Sequence, residues 1–437
     1  MSALFFLRSR GGAESRSRYQ SDDLLFLHTL QQLNIKANLY ELRDSASRQK
    51  IFIPPQIVSV AKVDRSTLTS TLTLTLMSKF YIDPDISKAK TIDTEFYTSE
   101  EIFELSKERI FASSWQYSAN TNQISSAGSA YPFNLLEDYL GEPLILTKDL
   151  DNQIHCLSNV CTHRGNLLVY EPCSSVKMMT CKYHGRAFQL DGTFKFMPEF
   201  KEVENFPTEE DNLTILPVFQ WGKMIFTQLT TGLQPDLYFG EMMERLRGFP
   251  FDKMVYHPEL SKEFRFQANW ALYCENYLEG FHIPFVHAGL NESLDFGSYQ
   301  TEIFKYSSLQ LGVAKVGEFV FDLPESSKDY GHHIAAYYFW VFPNMMFNVY
   351  PWGLSLNIVE PISISESKVK FHTFIWDEDK YNKGAGSDLD TVEFEDEEIV
   401  VNVQKGIRSR FYNHGRYSVK REQGTHHFHS LLANALN

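Results

Sequence analysis

Two short segments that each pair a cysteine with a histidine constrain this 437-residue chain more than any other feature of its sequence. The first is Cys161-x-His163, and after seventeen residues comes the second, Cys181-x-x-His184. Cys173 lies between them without a histidine at close spacing. Five cysteines in so long a chain do not suggest a disulfide scaffold. An odd number that includes two Cys/His pairs indicates metal ligation in a reducing compartment.

Two kinds of metal centre use two thiolates and two imidazoles. A tetrahedral zinc site accepts mixed Cys and His ligands, whereas a Rieske [2Fe-2S] cluster is held by cysteines on one iron and histidines on the other. Zinc fingers pair Cys with Cys and then His with His, but here each loop supplies one of each. Gly165 and Gly185 follow the histidines closely and permit tight turns near inorganic sulfur. The spacing therefore favours the iron–sulfur cluster.

The forms CTHRG (161–165) and CKYHG (181–185) resemble those of the oxygenase branch of the Rieske family. The respiratory-chain branch carries an extra cysteine in each loop. Asn166 stands where the first of these is expected, and the second loop contains none. The resemblance implies that Cys173 is not a ligand and that four residues hold the cluster, namely Cys161, His163, Cys181 and His184.

Changes in composition divide the chain into four parts. Residues 1–76 end in the low-complexity run STLTSTLTLTL and precede a methionine that looks like a natural start, so we predict a disordered or non-native extension. Residues 77–114 are the predicted helical segment of the catalytic part. Residues 115–228 alternate short strands with Gly, Asp and Asn, which predicts a small antiparallel β domain carrying the cluster. Residues 229–437 mix strands and helices, which predicts an α+β catalytic domain whose antiparallel sheet is flanked by helices.

Three stretches have helical spacing. The first, residues 97–115, is predicted to be capped by Thr98, with Glu101 three residues later completing a capping box. The second covers residues 268–280, and the third is an amphipathic stretch over residues 391–412.

The segment ENYLEGFHIPFVH (275–287) brings Glu279, His282 and His287 close together. Glu279 and His282 are one turn apart if the preceding helix persists, and Pro284 prevents a regular helix beyond them. His287 is therefore presented from a bend. Two histidines and one remote carboxylate make the facial triad of mononuclear non-haem Fe(II) oxygenases, which leaves positions open for O2.

This segment resembles the catalytic-domain motif of Rieske oxygenase α subunits, in which an acidic residue is followed by histidines at +3 and +8. The resemblance implies that a downstream Asp on a long helix is the third iron ligand. Asp396 is our candidate among the carboxylates of residues 393–398, and a solvated acidic helix face is the alternative. The resemblance also implies that Glu279 bridges His184 of a neighbouring chain and His282, within a head-to-tail homotrimer.

The resemblance covers residues 80–437 and is strongest with the choline- and carnitine-monooxygenase-like group. It implies a terminal oxygenase that takes electrons from NAD(P)H through a separate reductase or ferredoxin and hydroxylates a small organic substrate, with a quaternary amine as one candidate. Aromatic-ring dihydroxylation and pure electron transfer are the alternatives. The aromatic stretch at residues 335–353 can supply a cation–π cage, although core packing is the better explanation for most of its residues.

Charge and hydropathy exclude other classes of function. The net charge of −14 argues against nucleic acid as a partner. No apolar run reaches the roughly 18 residues of a membrane span. The N-terminal apolar stretch is short and is followed by arginines, so it is not a secretory signal. We expect a cytoplasmic protein, with an organelle transit peptide as the alternative.

Overall fold

The computed structural model describes residues 79–437 except 288, 290–294, 316 and 388. The predicted extension at residues 1–76 lies outside this range. Within the described part of the chain, no helix combines the length and the apolarity that a membrane crossing needs.

The first described segment is helical, but its cap differs from the predicted one. Helix α1 (Glu95–Thr98) is followed by α2 (Glu100–Ser106) and by a π-helical turn at Lys107–Ala112. Ser99, not Thr98, caps α2, because Ser99 has extended backbone angles and its hydroxyl accepts the Ile102 N–H at 3.4 Å. The Thr98 hydroxyl instead donates to the Thr94 carbonyl at 2.9 Å. The predicted capping box is therefore wrong by one residue.

Short antiparallel strands dominate residues 115–228. Three sheets form, with strand orders β2-β3-β4-β8, β5-β6-β7 and β1-β10-β9. The strands are β1 (Gln116–Asn120), β2 (Ser129–Leu135), β3 (Glu142–Lys148), β4 (Ile154–Ser158), β5 (Met179–Thr180), β6 (Ala187–Phe188), β7 (Phe194–Phe196), β8 (Ile215–Leu216), β9 (Val218–Trp221) and β10 (Met224–Thr227). Ile145, Leu157 and Phe188 form a core with the two motif cysteines.

One large antiparallel sheet organises the rest of the chain. Its order is β11-β18-β17-β16-β15-β14-β13, and β12 also pairs with β18. These strands are β11 (Val255–Tyr256), β12 (Lys262–Phe266), β13 (Gln300–Ile303), β14 (Ser307–Val313), β15 (Ile334–Val341), β16 (Met345–Tyr350), β17 (Gly353–Ser363) and β18 (Glu366–Ile375). The predicted fold class, a small antiparallel β domain plus a larger antiparallel sheet flanked by helices, is confirmed.

Among the residues that the structure describes, five helices accompany this sheet, and two of them are shorter than predicted. They are α3 (Asp236–Arg245), α4 (Trp270–Tyr277), α5 (Ile283–Val286), α6 (Leu389–Gly406) and α7 (Gln423–Leu436). Helix α4 ends before Glu279, so Glu279 and His282 are not a helical turn apart. Helix α6 stops at Gly406, a poor helix former, rather than at residue 412. Short 3-10 turns occur at Thr121–Ile124, Glu209–Asp211, Phe296–Ser298, Glu378–Lys380 and Gly384–Gly386.

Trp270 links the two ends of the described chain to the catalytic sheet. It begins α4, is almost fully buried, and packs edge-on against Phe96, Phe111 and Phe428. Phe96 and Phe111 come from the N-terminal helical segment, and Phe428 comes from α7. Both segments therefore contribute to the core that supports α4, the helix that leads into the Glu279–His287 segment.

Candidate metal centres and substrate cavity

The two Cys/His loops have the same backbone hydrogen bonds. In each loop the glycine N–H, of Gly165 or Gly185, donates to the carbonyl of the cysteine, Cys161 or Cys181, at 3.0 Å. The N–H of each cysteine donates to the carbonyl five residues further on, at 2.8 and 2.7 Å. The two glycines have φ of +70° and +76°, a conformation that glycine adopts without strain. The expected tight turns are therefore present.

The thiols and the imidazoles occupy different depths. Cys161 and Cys181 are each 2% exposed, whereas His163 and His184 are half-buried with ring centroids 4.7 Å apart. Burial and the neighbouring His184 lower the pKa of His163, which favours the neutral imidazole that binds metals. Two inner thiols and two outer imidazoles are the arrangement that a Rieske cluster requires.

Hydrogen-bond donors point at the sulfur atom of Cys181. The backbone N–H groups of Tyr183 and His184 lower the pKa of Cys181, against the opposing effect of burial. The Asn166 side-chain amide reaches the same sulfur, with 3.6 Å between Nδ2 and Sγ. Stabilisation of a thiolate in this way suits iron ligation. The residues present therefore fit an iron–sulfur cluster.

Asp211 links the two loops, a contact that the sequence did not reveal. Its backbone carbonyl accepts from the Thr162 hydroxyl at 2.9 Å, and its carboxylate accepts from the buried Arg186 guanidinium at 2.7 Å. Thr162 belongs to the first loop, and Arg186 directly follows the second. Cys173, by contrast, is exposed, and its backbone pairs with that of Ala130.

Three ligand atoms converge in the catalytic domain. The Nε2 atoms of His282 and His287 are 3.1 Å apart, and Oδ1 of Asp396 lies 3.5 and 3.0 Å from them. Ligands about 2.1 Å from a metal, at right angles to one another, are roughly 3 Å apart. In the described part of the chain this is the one group of three or more His, Cys, Asp or Glu residues with ligand atoms within 4.8 Å of one another. The residues therefore fit a metal ion.

Two helices position this group. His282 and His287 flank the single turn of α5, so their rings meet on one side of it. Asp396 lies on α6, where the Asn276 side chain of α4 donates to its Oδ1 at 2.5 Å. The bend predicted from Pro284 is therefore a short helix with a histidine at each end.

The outer nitrogens of both histidines meet carboxylates. Oε1 of Glu279 lies 2.7 Å from Nδ1 of His282, and Oε2 of Glu395 lies 2.7 Å from Nδ1 of His287. Oε2 of Glu279 accepts the N–H of His282 at 3.1 Å. These contacts fix the tautomers that leave both Nε2 atoms free for a metal. The Glu279 carboxylate thus contacts both the ring and the backbone N–H of His282, although no helical turn joins the two residues.

The other carboxylates of residues 393–398 have different surroundings. Glu395 contacts the outer face of His287, and Oε2 of Glu393 accepts the Tyr273 hydroxyl at 2.5 Å. Glu398 is exposed. Burial raises the pKa of Glu393 well above its usual range. Asp396 alone among them belongs to the converging group of ligand atoms.

A cavity of about 120 Å³ adjoins the three ligand atoms. Tyrosines are its most frequent lining residue: Tyr273, Tyr277, Tyr299, Tyr338 and Tyr350. An outer cavity of about 440 Å³ shares Ser355, Phe371 and Glu393 with it. A larger cleft of about 740 Å³, which includes Arg245, lies away from the ligand atoms.

The aromatic stretch at residues 335–353 divides between cavity and core. Tyr338 and Tyr350 line the cavity, whereas Trp340 and Phe347 are fully buried in the core. Core packing, the explanation preferred for most of this stretch, is therefore confirmed for most of it, because all of residues 335–353 except Tyr338 are buried.

Sequence reasoning predicted Asp396 on α6, but it did not place Tyr273 and Tyr277 of α4 or Glu393 of α6 beside the metal site. Their signal was helical spacing. Residues 393, 396, 400 and 404 recur at three- and four-residue intervals on α6 and are buried or half-buried, which defines an inward face. From this spacing, the acidic residues on the inward face could have been distinguished from the exposed Glu398 as candidate site residues.

Comparisons with known proteins agree with this arrangement. Residues 114–207 match the model of the Rieske [2Fe-2S] domain, and residues 251–437 match that of the ring hydroxylating alpha subunit catalytic domain. The chloroplastic choline monooxygenase of Arabidopsis thaliana is 28% identical over 405 residues, covering 88% of this chain and 90% of that protein. The carnitine monooxygenase oxygenase subunit of Escherichia coli (strain K12) is 28% identical over 363 residues, covering 79% and 94%.

Solved structures show the same fold. The quaternary ammonium Rieske monooxygenase CntA in complex with L-carnitine has a TM-score of 0.64 at 23% identity, covering 81% of this chain and 97% of that one. Naphthalene 1,2-dioxygenase with indole bound has a TM-score of 0.61 at 16% identity, covering 79% and 92%.

Replacing Glu395 with Gln should weaken metal binding at the His282, His287 and Asp396 group by about 10- to 100-fold, because the carboxylate that orients His287 loses its charge. Competition with a chelator measures this affinity without turnover. Glu398→Gln removes a charge from an exposed position on the same helix and is the matched control. Equal affinities in the two variants would contradict the role given to Glu395.

Proposed function

We propose that this chain, which belongs to the α subunits of Rieske non-haem iron oxygenases, hydroxylates a small quaternary amine. Family membership makes it an oxidoreductase that uses O2, which sets aside a pure electron-transfer role. The tyrosine-lined cavity beside the three ligand atoms is the observation that carries the choice of substrate. The choline and carnitine monooxygenases among its relatives support the same choice.

Two groups of residues would hold the cofactors. Cys161, His163, Cys181 and His184 would hold the [2Fe-2S] cluster, and His282, His287 and Asp396 would hold Fe(II). When bound, the cluster supplies single electrons and the iron supplies O2 activation. The chain's own part is to fix ligand geometry, to hold the imidazole tautomers through Glu279 and Glu395, and to surround the reacting carbon with side chains in place of water.

The tyrosine rings suit an alkylammonium group. Rings within about 6 Å attract a cation through their negative faces, and five tyrosines line this cavity. The same rings would accommodate an aromatic substrate, so ring dihydroxylation is the second candidate. Glu393 favours the cation, because an ammonium group compensates the charge of a buried carboxylate, whereas a neutral aromatic ring does not.

The proposed reaction consumes one O2, two electrons and two protons for each C–H bond converted to C–OH, and releases one water. We propose NAD(P)H as the source of the electrons, delivered through a separate reductase or ferredoxin. Hydroxylation next to nitrogen gives a carbinolamine that loses an alkyl group as an aldehyde. Oxidation of a carbinol carbon gives a hydrate that loses water to form an aldehyde.

We further propose a head-to-tail homotrimer in which Glu279 of one subunit reaches His184 of the next. Exposed aromatic residues occur beside both centres: Tyr170 and Tyr183 near the cluster loops, and Phe281 and Phe285 near the ligand histidines. These two different surfaces would form the heterologous contacts that close a ring. A cytoplasmic location is proposed, consistent with five free cysteines.

Substrate-dependent O2 consumption tests the proposed function. With a reductase and NAD(P)H, we expect a quaternary amine from a panel of choline, betaines and L-carnitine to stimulate O2 use with equimolar product. Aromatic acids should give no product. Turnover of an aromatic acid, with none of a quaternary amine, would overturn the substrate class in favour of ring dihydroxylation.

With Fe(II) supplied in excess to keep the second site filled, replacing Glu279 with Gln should leave the cluster reducible but slow turnover by about 10- to 100-fold, because the amide cannot accept hydrogen bonds from two imidazoles as a carboxylate does. Stopped-flow absorption of the pre-reduced cluster, mixed with O2 and substrate, measures its reoxidation. The Glu398→Gln control should reoxidise at the wild-type rate. Wild-type reoxidation in the Glu279 variant would refute the bridge.

A further inference from the structure

Glu393 is a buried carboxylate that lacks a charged partner. It is 4% exposed, and it lines the cavity beside the three ligand atoms. Its Oε2 accepts the Tyr273 hydroxyl at 2.5 Å, but its Oε1 is buried without a hydrogen-bond partner. Burial raises the pKa of Glu393 well above its usual range, so the ionised form is costly unless a cation or a hydrogen-bond donor reaches it.

The described side chains that line the cavity supply no lysine or arginine cation. The two lining histidines direct their nitrogens at each other and at carboxylates. The one other lining residue with an unpartnered buried polar atom is Gln310, and this atom is also an oxygen, Oε1. Both atoms that await a partner are therefore hydrogen-bond acceptors.

The lysine that lines the outer cavity is already paired. Lys262 lines the outer cavity, and its Nζ lies 2.5 Å from each carboxylate oxygen of Asp390. A substrate carboxylate placed beside Glu393 and Gln310 would meet two unpartnered oxygens, and no described side chain that lines the inner cavity would supply a positive charge. The burial of like charges and of unpaired acceptors is unfavourable.

We propose that Glu393 is a specificity-determining residue that pairs with the ammonium group of the substrate and selects an ammonium alcohol over a zwitterion. The substrate hydroxyl can donate to Oε1 of Gln310, which uses the second free acceptor. Tyrosine rings surround the methyl groups of the ammonium. This inference rests on the proposed function and names which of the quaternary amines the cavity accepts.

A neutral analogue of the substrate measures how much the ammonium charge contributes to binding. Choline and its uncharged tert-butyl analogue, in which a carbon atom replaces the nitrogen, have the same shape. Calorimetric titration of the oxidised holoenzyme without reductant measures both dissociation constants in the absence of turnover. We expect choline to bind on the order of 10- to 100-fold more tightly than the analogue, and Glu393→Gln to bring the two dissociation constants close together.

The controls separate charge pairing from folding. The ratio of the two dissociation constants within one variant does not depend on the folded fraction. Glu398→Gln removes an exposed carboxylate from the same helix and should keep the wild-type ratio. In the unmodified protein, glycine betaine and L-carnitine should each bind at least about tenfold more weakly than choline.

The outcomes distinguish failure of the role proposed for Glu393 from failure of the proposed function. If the Glu393 variant keeps the wild-type ratio, or if a zwitterion binds as tightly as choline, the role of Glu393 is wrong even though quaternary amines are oxidised. If no quaternary amine binds or stimulates O2 consumption, the proposed function itself fails.

Discussion

The catalytic centre depends on the packing of helix α4 against helix α6. Hydrogen bonds join the two elements at three places, pairing Asn269 with Gln404, Tyr273 with Glu393, and Asn276 with Asp396. The contact between Asn276 and Asp396 places a carboxylate oxygen beside His282 and His287, which lie more than a hundred positions earlier in the chain. Each of the three contacts involves a buried or half-buried polar group, so separating the helices would leave several such groups without partners. Ligand geometry and helix packing therefore stabilise each other.

The two proposed metal centres use opposite electrostatic environments. Around the cluster loops, backbone N–H groups and an Asn166 amide face a buried sulfur atom, and burial favours neutral imidazole at His163. Around the second centre, carboxylates contact both histidines, and Glu393 adds another to the cavity wall. Donors that stabilise thiolates suit an electron-transfer cluster, while an acidic cavity suits a divalent ion and a cationic substrate.

Local motifs made part of this arrangement predictable. In the two Cys/His loops and in the 275–287 segment, the candidate ligands lie within a few residues of one another, so a local motif identifies them. Alternating apolar and polar residues likewise predicted the antiparallel sheets that the structure contains. Helical spacing distinguishes the inward-facing Glu393 and Asp396 from the exposed Glu398, but only the contact with α4 identifies Asp396 as the ligand, and no local pattern encodes that contact. The cap at Ser99 was missed because Thr98 has the same chemistry and lies one residue away. The end of α4 at Tyr277 was missed because apolar spacing continues beyond it.

The content of iron and acid-labile sulfide in protein purified without oxygen tests the assignment of two distinct metal centres most directly. A Rieske cluster together with a mononuclear iron predicts about three irons and about two sulfides per chain. Equal amounts of iron and sulfide, which would leave the His282, His287 and Asp396 group without iron, would contradict it, as would zinc in place of iron at the Cys/His loops.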